Sequence, residues 1–502
     1  MAKPNPTKHL DIDRLCTSCL TQTEKNRVTA RTVHDYCISP FMVYCNNFVS
    51  PEMKDPISEY GQLLMKEGRM HEGQVLAEKY PGLKPVEFES PEAGFRLILE
   101  AMEKGISAIS GAPVFYLPEG LLGVADIIEK RKNAPSVFGD YHYIVKEIKL
   151  AKNLEKKHLF QGAFYNYVIG KIQGYTPPTF YMVNRDHEEF ETKYNEQDLL
   201  EIITDIREIL NGKKVSPTYD AFQEPWETYN NQEAIRLHDI SLVNGCGPSL
   251  KKRLLENGIE TFDQLAGTEK AKLIKIKGIA DKTATKLLQH SNTLVLGKHT
   301  CIGTCNEFPK RATEIFLDLE GTGEQVGEEE VIAMDYLIGV LIRKDGKAEY
   351  IPFFAEDLDK EKEMLDNFVK WIEKQTDFII YHWQHYESTH LLKMAKRYDL
   401  PQSKLDLVFS NMRDLHKDAT AAFTFPTYGN GLKEIAPYIG YKWKHQEVDA
   451  KEAIAIYLQY VKDKKANNEK MQKVIDYNND DCEATLLIKD WLEGELKKAE
   501  DS

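Results

Sequence analysis

The sequence predicts two α/β domains separated by a small all-α module. Its 502 residues correspond to about three domains at roughly 150 residues each. Residues 27–212 mix helix-period segments with strand-like runs, and the same mixture returns after residue 310. Between them, residues 237–290 contain short helical patterns interrupted by glycines, too short for a large core of their own. The predicted domains are 1–230, 235–295 and 305–502.

The composition is that of a folded protein. With 42% hydrophobic and 29% charged residues, it excludes a disordered or collagen-like chain. No run reaches about 18 uninterrupted apolar residues, so we expect no membrane partner. Eight cysteines in so long a chain, behind a polar start, favour a reducing compartment over a secreted disulfide framework. We therefore expect a cytoplasmic protein.

The first α/β domain places charged side chains on two neighbouring strands. The run Leu121–Ile128 carries Asp126, and the run Tyr141–Ile148 carries Glu147 and leads to Lys149. Because side chains alternate along a strand, Glu147 and Lys149 face the same side. A cation held by Asp126 and Glu147 would neutralise a phosphate and activate water, while Lys149 could orient that water. Taken alone, this pattern also fits a solvated surface strand.

Residues on either side of this pattern extend it. His71 lies in the helix-period segment Glu59–Tyr80, and Gln161 and Tyr165 share one helical face because they are four residues apart. In this order the set resembles the PD-(D/E)XK nucleases of the RecB type, which implies a restriction-endonuclease-like fold. The resemblance implies metal binding by His71, Asp126 and Glu147, catalysis by Lys149, and strand contacts by Gln161 and Tyr165.

The cysteines argue against an iron-sulfur cluster. Many nucleases of this type hold one through a cysteine before the core and three after it. Cys37 resembles the first, but no cysteine lies between Cys45 and Cys246, so we do not expect the cluster. Two pairs of cysteines have spacings seen in zinc sites: Cys16 with Cys19, and Cys301 with Cys305. The favoured alternative is that these are buried or loop thiols that bind no metal.

The middle segment is basic, although the chain as a whole has a net charge of -14. Residues 241–300 carry ten Lys and Arg against five Asp and Glu. Two helix-turn-helix patterns in this segment open their second helices with backbone N–H groups that suit a phosphate. They resemble tandem helix-hairpin-helix motifs, which implies binding to the nucleic-acid backbone without base reading.

The second turn has Ala280 where such motifs usually have a second glycine. A helical spacer or a protein-docking module is the alternative. The candidate nucleic-acid contacts of the segment are Gly245, Gly247, Lys251, Lys252, Arg253, Lys277, Gly278 and Lys282.

The last domain begins with a strand that carries Asp318 and Glu320 on one face. Two carboxylates so spaced can hold two metal ions against a scissile phosphate. Near the end of the chain, Tyr477 and Asp481 lie one helical turn apart, so the tyrosine can orient water beside the aspartate. Glu387 lies between these motifs, just after the strand-like run that begins at Phe378.

This order resembles the DEDD exonucleases of the ribonuclease-H-like fold, in their tyrosine subclass. The resemblance implies 3′-5′ exonuclease activity, metal binding by Asp318, Glu320, Glu387 and Asp481, and a catalytic role for Tyr477. Glu387 departs from the pattern, because most of the superfamily has Asp there. The four acids are also compatible with an inactive relic.

Together these patterns predict a nuclease with two active sites that uses Mg²⁺ or Mn²⁺. The arrangement resembles RecB-like nucleases that carry a C-terminal, YprB-like exonuclease domain. It implies a nucleic-acid partner, with DNA favoured over RNA, and a role in repair, recombination or defence. Two alternatives remain at this point: a non-catalytic scaffold that binds nucleic acid, and an RNA-processing exonuclease.

Overall fold

The computed structural model describes residues 10–220, 224–326, 331–446 and 448–500. The chain forms two compact units. The first contains residues 1–57 and 64–233, and the second contains residues 58–63 and 234–502. The basic middle segment therefore belongs to the same unit as the last α/β domain.

The first unit is built on a six-stranded mixed sheet. Its strands are β1 (Val28–Thr29), β2 (Ala108–Tyr116), β3 (Leu121–Arg131), β4 (His142–Ile148), β5 (Thr179–Val183) and β6 (Glu189–Lys193). The order is β1-β3-β4-β5-β6, with β2 paired to β3. The pairs β1/β3 and β4/β5 are parallel, and the others are antiparallel.

Eight helices accompany this sheet, with the first turn of α4 in residues 58–63. They are α1 (Ile12–Leu20), α2 (Ala30–Ile38), α3 (Pro40–Phe48), α4 (Glu59–Lys79), α5 (Pro91–Glu103), α6 (Lys156–Gln173), α7 (Glu196–Leu210) and α8 (Glu227–Arg236). Helix α6 is buried along most of its length and packs on β4 and α2. A capping box between Glu155 and His158 starts it, and Gly174 ends it at a φ of 71° that favours glycine.

The second unit opens with four helices of the middle segment: α9 (Pro248–Glu256), α10 (Phe262–Ala266), α11 (Lys270–Leu273) and α12 (Asp281–Leu296). Leu254, Leu265, Leu273 and Leu287 are buried between them. The next helices are α13 (Glu361–Ile372), α14 (Tyr386–Arg397), α15 (Gln402–Phe409), α16 (Leu415–Ala422), α17 (Leu432–Tyr438), α18 (Ala450–Lys462) and α19 (Lys464–Glu500).

The strands of the second unit form a five-stranded sheet and a separate two-stranded pair. They are β7 (Thr300–Cys301), β8 (Thr313–Val326), β9 (Val331–Lys344), β10 (Lys347–Phe354), β11 (Phe378–His382), β12 (Met412–Asp414) and β13 (Phe423–Thr424). The large sheet has the order β10-β9-β8-β11-β12. Strand β8 is antiparallel to β9 and parallel to β11, and β7 pairs with β13.

Side chains on the two faces of β8 enter different cores. Ile315, Leu317 and Leu319 pack in the core that includes α13 and α18, whereas Phe316 packs in the core that includes α16 and the later part of α19. The period of two therefore puts Asp318 and Glu320 on the Phe316 face. None of the described helices is long and apolar enough to cross a membrane.

Candidate functional site

A group of three carboxylates lies where β8 meets α19. Asp318, Glu320 and Asp481 each offer an oxygen, and these oxygens lie within 4.8 Å of one another. Within the described residues, no other group of three or more His, Cys, Asp or Glu side chains meets that condition. The pairing of β8 with β9 shifts register directly after Glu320, so the regular ladder of the acidic strand is interrupted at the site.

Burial and mutual repulsion make these acids unusually hard to ionise without a cation. Burial, followed by the charges of Asp481 and Glu320, raises the pKa of Asp318. Burial and Asp481 raise the pKa of Glu320 to about 8, and burial raises the pKa of Asp481 to about 6. Oxygen donors with this excess of negative charge fit Mg²⁺ or Mn²⁺, which prefer carboxylate ligands. We call Asp318, Glu320 and Asp481 the acidic site.

Hydrogen bonds fix the orientation of two of these carboxylates. Asn478 Nδ2 donates to Asp318 Oδ2 at 2.6 Å, and Tyr350 donates its hydroxyl to Asn478 Oδ1 at 2.8 Å. Trp443 Nε1 donates to Asp481 Oδ1 at 2.7 Å. These supporting residues were not predicted from the sequence. They hold the acidic site from outside, as hydrogen-bonded neighbours of metal ligands commonly do.

Lys433 brings a positive charge to the acidic site. It lies on α17, and its Nζ donates to Tyr477 Oη and sits 4.1 Å from the centroid of the Tyr477 ring. Its charge acts to lower the pKa of all three acids. Burial, and next the charge of Asp481, raise the pKa of Tyr477, so the phenol stays protonated. Lys433 was not predicted from the sequence.

Glu387 lies near the acidic site but outside its 4.8 Å group. It is in the first turn of α14 and is buried, and burial raises its pKa. Its Oε2 is 3.3 Å from His382 Nδ1, yet the two atoms are not aligned for a hydrogen bond. The charge of Glu387 still raises the pKa of Asp318 and of Asp481. Metal binding by Glu387 therefore remains a prediction.

In the first unit, the structure brings Asp126, in the middle of β3, together with Glu147 and Lys149 at the C-terminal end of β4. Lys149 Nζ lies 2.9 Å from Glu147 Oε2 and 3.7 Å from Asp126 Oδ2. The backbone joins them, since Asp126 N–H donates to Glu147 Oε1 at 3.2 Å and Ile148 N–H donates to Asp126 Oδ2 at 2.8 Å. We call these three side chains the lysine site.

The charged groups of the lysine site shift the pKa values of Glu147 and Lys149. Burial, followed by the charge of Asp126, raises the pKa of Glu147 to about 7. Burial acts to lower the pKa of Lys149, but the carboxylates of Glu147 and Asp126 outweigh it and raise that pKa. Glu72 on α4 was not predicted, yet burial and the charge of Asp126 raise its pKa, which places it close to the lysine site.

His71 is buried on α4 beside the backbone of Asn184 and Lys149. Its ring centroid is 5.2 Å from that of His187, and burial lowers its pKa, so the imidazole is neutral at pH 7. His71 Nε2 has no hydrogen-bond partner among the described residues. A buried, neutral, unpartnered imidazole nitrogen fits a metal ligand, although His71, Asp126 and Glu147 do not close into a 4.8 Å group.

Tyr165 and Gln161 lie together on α6 next to the lysine site. Tyr165 contacts Gln161 and the backbone of Val124, and burial, followed by the charges of Glu147 and Asp126, raises its pKa. Gly123 permits this approach, because a Cβ there would lie 2.7 Å from Tyr165 Cε1. The predicted pair therefore reaches the predicted carboxylates.

The two turns of the middle segment have matching backbone conformations. Gly245 and Gly278 have φ values of 84° and 85°, which favour glycine. Gly247 and Ala280 cap the following helices with φ, ψ of -68°, 171° and -80°, 166°. Because that extended conformation suits any residue, Ala280 can replace the second glycine without strain.

The structure differs from the sequence expectation at Lys251. Its side chain is 6% exposed, and its Nζ lies 2.8 Å from both carboxylate oxygens of Asp239. This internal ion pair occupies the ammonium group, so phosphate contacts fall to other side chains. Arg253 is partly buried, with its guanidinium against Gly278, and the other three predicted lysines are exposed: Lys252, Lys277 and Lys282.

Comparison with known proteins agrees with both parts of the second unit. Residues 315–493 match the family model of the RNase H superfamily, and residues 238–292 match that of the SAM-like helix-hairpin-helix tandem. No curated protein matches the chain. RNase H superfamily nucleases generally depend on divalent metal ions, and helix-hairpin-helix modules bind nucleic acid. The chain thus contains an RNase H superfamily domain, with the acidic site inside it, and a tandem helix-hairpin-helix module.

Proposed function

We propose that this protein is a metal-dependent nuclease that hydrolyses phosphodiester bonds, with DNA as its preferred substrate. One observation carries the proposal: three carboxylates, two of them buried and that of Asp318 half-buried, converge within 4.8 Å inside a domain of the RNase H superfamily. The helix-hairpin-helix module supplies the substrate grip that such an enzyme needs. We further propose the tyrosine subclass of DEDD exonucleases, acting from the 3′ end.

Asp318, Glu320 and Asp481 would hold Mg²⁺ or Mn²⁺, with Glu387 as a further carboxylate. The bound ions would supply charge neutralisation and an activated water at the phosphate. Asn478 and Trp443 hold two of the carboxylates in one orientation. Tyr477 stays protonated and can donate its hydroxyl to the attacking water or to a phosphate oxygen. Lys433 orients that phenol and adds a positive charge for the phosphate.

We propose the lysine site as a second, RecB-like active site of the PD-(D/E)XK type. His71, Asp126 and Glu147 would hold the metal ion there. Lys149 lies within hydrogen-bond distance of Glu147, where it can orient water and stabilise developing negative charge. Tyr165 and Gln161 would contact the strand. The sequence resemblance extends the proposal to a YprB-like C-terminal domain and to a cytoplasmic role in DNA repair, recombination or defence.

End-labelled single-stranded DNA, duplex DNA and RNA test the proposal, each incubated with Mg²⁺, Mn²⁺ or EDTA. The proteins are the wild type, Glu147→Gln, Asp318→Asn and the double variant, with Lys370→Ala on α13 as a surface control. We expect each single variant to lose one product pattern and the double variant to lose both. DNA should be cleaved faster than RNA.

Loss of all cleavage in both single variants would contradict two independent sites and indicate one composite activity. Metal-independent cleavage, or full cleavage by the double variant, would refute the assigned chemistry. Substrate binding without cleavage by the wild type under any of these metals would instead favour a non-catalytic scaffold.

A further inference from the structure

A single loop connects the helix-hairpin-helix module to the acidic site. We call residues 425–431, between β13 and α17, the bridging loop. It leads directly into α17, where Lys433 contacts Tyr477 beside the three carboxylates. Trp383 Nε1 donates to the carbonyl of Asn430 at 3.2 Å, which anchors the loop to the end of β11. Any element that holds this loop therefore also helps to position Lys433.

His290 of α12 joins the loop to the first hairpin. Asn244 N–H donates to His290 Nδ1 at 3.0 Å, and His290 Nε2 donates to the carbonyl of Thr427 at 2.9 Å. One ring nitrogen accepts and the other donates, so the imidazole is neutral. Burial lowers the pKa of His290, in agreement with this form. Asn244 adds a direct link, since its Nδ2 donates to Asn430 Oδ1 at 3.3 Å.

A second connection holds the other end of the loop. After α12 the chain forms β7, which pairs with β13 immediately before the bridging loop. His299 N–H donates to the hydroxyl of Tyr438, at the end of α17, at 2.9 Å. The module, through His290, and the segment that follows it, through His299 and β7, thus hold the bridging loop and α17. A module that only tethers the substrate would need none of these contacts at the acidic site.

The position of Asn244 gives these contacts a functional meaning. It directly precedes Gly245, the turn glycine of the first hairpin, where backbone N–H groups suit a phosphate. The path from this turn to the acidic site runs through Asn244, Asn430 and Lys433. Lys252 and Lys282 are exposed on the helices that follow the two turns. A backbone gripped at the hairpins would therefore be held in register with the carboxylates.

We propose that the hairpins and the acidic site form one substrate-binding surface, with His290 as the positioning residue between them. This surface holds a duplex backbone while it presents a strand end to the acidic site. The inference rests on the proposed nuclease function. The helix-hairpin-helix module then helps the acidic site to select its substrate, in addition to providing general affinity for nucleic acid. The substrate class is a duplex with a single-stranded 3′ extension.

The first experiment uses Glu147→Gln protein, so that cleavage reports the acidic site. Its substrates are a DNA trinucleotide, which fills the acidic site only, and a long duplex with a 3′ extension. Lys252→Ala combined with Lys282→Ala should raise KM for the long duplex about tenfold and reduce the salt slope by about two units, because two phosphate contacts are lost. The trinucleotide kinetics should change far less than those of the long duplex, and Lys370→Ala should behave as its parent on both substrates.

The second experiment separates positioning from simple affinity. His290→Ala should raise KM for the long duplex while leaving trinucleotide kcat unchanged, because Trp383 and the β7/β13 pair still hold the loop. His290→Gln should restore much of the loss, since its amide carries an acceptor and a donor side by side. If His290→Ala does not fold, Asn244→Ala removes the side-chain link to Asn430 and keeps the backbone donor.

Each outcome decides one question. Equal effects of these variants on both substrates, or no effect on the long duplex, would overturn the inference. Absence of metal-dependent cleavage of either substrate by the Glu147→Gln parent would instead overturn the proposed activity of the acidic site. The two failures are therefore distinguishable.

Discussion

Replacement of Asp481 by Asn removes one negative charge from the acidic site with almost no change in shape. The Asn Oδ1 can still accept the hydrogen bond that Trp443 donates to Asp481 at 2.7 Å. The substitution therefore tests the negative charge of residue 481 while leaving its packing unchanged. We expect the metal-free variant to be more stable than the metal-free wild type, because fewer like charges share the buried site. We also expect the variant to lose metal binding at the acidic site and, with it, the exonuclease activity.

The structure sets the size of this effect. Burial raises the pKa of Asp481 from 3.8 to about 6. At roughly 1.4 kcal/mol per pKa unit, its ionisation at neutral pH costs about 3 kcal/mol of folding free energy. Two like charges no more than 4.8 Å apart repel by a similar amount, at least about 3 kcal/mol at an effective dielectric of about 20. The pKa of Asp481 already includes the attraction of Lys433, so we expect a gain of up to about 3 kcal/mol.

The same shifts fix the sign of the pH dependence. A carboxyl whose pKa is raised on folding holds its proton more tightly in the native state, so stability falls as pH rises between the two pKa values. For Glu320 that window runs from 4.5 to about 8. The metal-free wild type should therefore lose stability across this window. Asp481→Asn should lose less, because removal of its charge lowers the pKa of Glu320.

Thermal unfolding in EDTA and in Mn²⁺, at pH 5 and at pH 8, measures both effects. Asp476→Asn, on the same helix but outside the acidic site, is the control. In EDTA at pH 8 Asp481→Asn should melt several degrees above wild type, at about 2 to 4 °C per kcal/mol. Mn²⁺ should stabilise the wild type and the control more than it stabilises Asp481→Asn, which keeps only the lysine site. An Asp481→Asn protein that is less stable in EDTA, or equally stabilised by Mn²⁺, would refute the reasoning.

Three further predictions concern single side chains. Lys433→Met keeps most of the side-chain length but loses the charge and the hydrogen bond to Tyr477. The kcat of the acidic site should therefore fall about 100-fold in single-turnover assays, while KM for a trinucleotide changes little. An unchanged kcat would remove Lys433 from the catalytic machinery. Glu387→Gln should weaken Mn²⁺ binding in calorimetric titrations and impair exonuclease activity about as severely as loss of an acidic-site carboxylate; full activity would show that Glu387 binds no metal. Gly123→Ala places a Cβ 2.7 Å from Tyr165 Cε1, so cleavage by the lysine site, assayed in Asp318→Asn protein, should fall about tenfold; unchanged cleavage would show that the Tyr165 position is not required.

Local periodicity predicted the elements that carry both sites. The strand-like runs beginning at Leu121 and Phe378 are confirmed as β3 and β11, and the helix-period segment from Glu59 is confirmed as α4, ending at Lys79. Strand β8 extends beyond Glu320, the last residue assigned to it from the sequence, because β9 pairs with it as far as Val326. Strand ends depend on such partners, which a local pattern does not contain.

The residues around the acidic site could be predicted only in part. Asp318 and Glu320 can be predicted from the alternation of side chains along a strand, and Tyr477 and Asp481 from their helical spacing. Asn478, Trp443 and Lys433 have no such signal, because each is brought to the site by tertiary packing. Lys251 was expected on the surface, but Asp239, which lies outside its helix, draws it into a buried ion pair.

Single-turnover cleavage of a 5′-end-labelled DNA strand tests the central claim most directly, namely that the acidic site hydrolyses nucleic acid. The comparison is between Glu147→Gln protein and the same protein with Asp318→Asn added, both in Mn²⁺. The first should shorten the strand stepwise from its 3′ end, and the second should leave it intact. Undiminished shortening by the second protein, or none by the first, would contradict the claim.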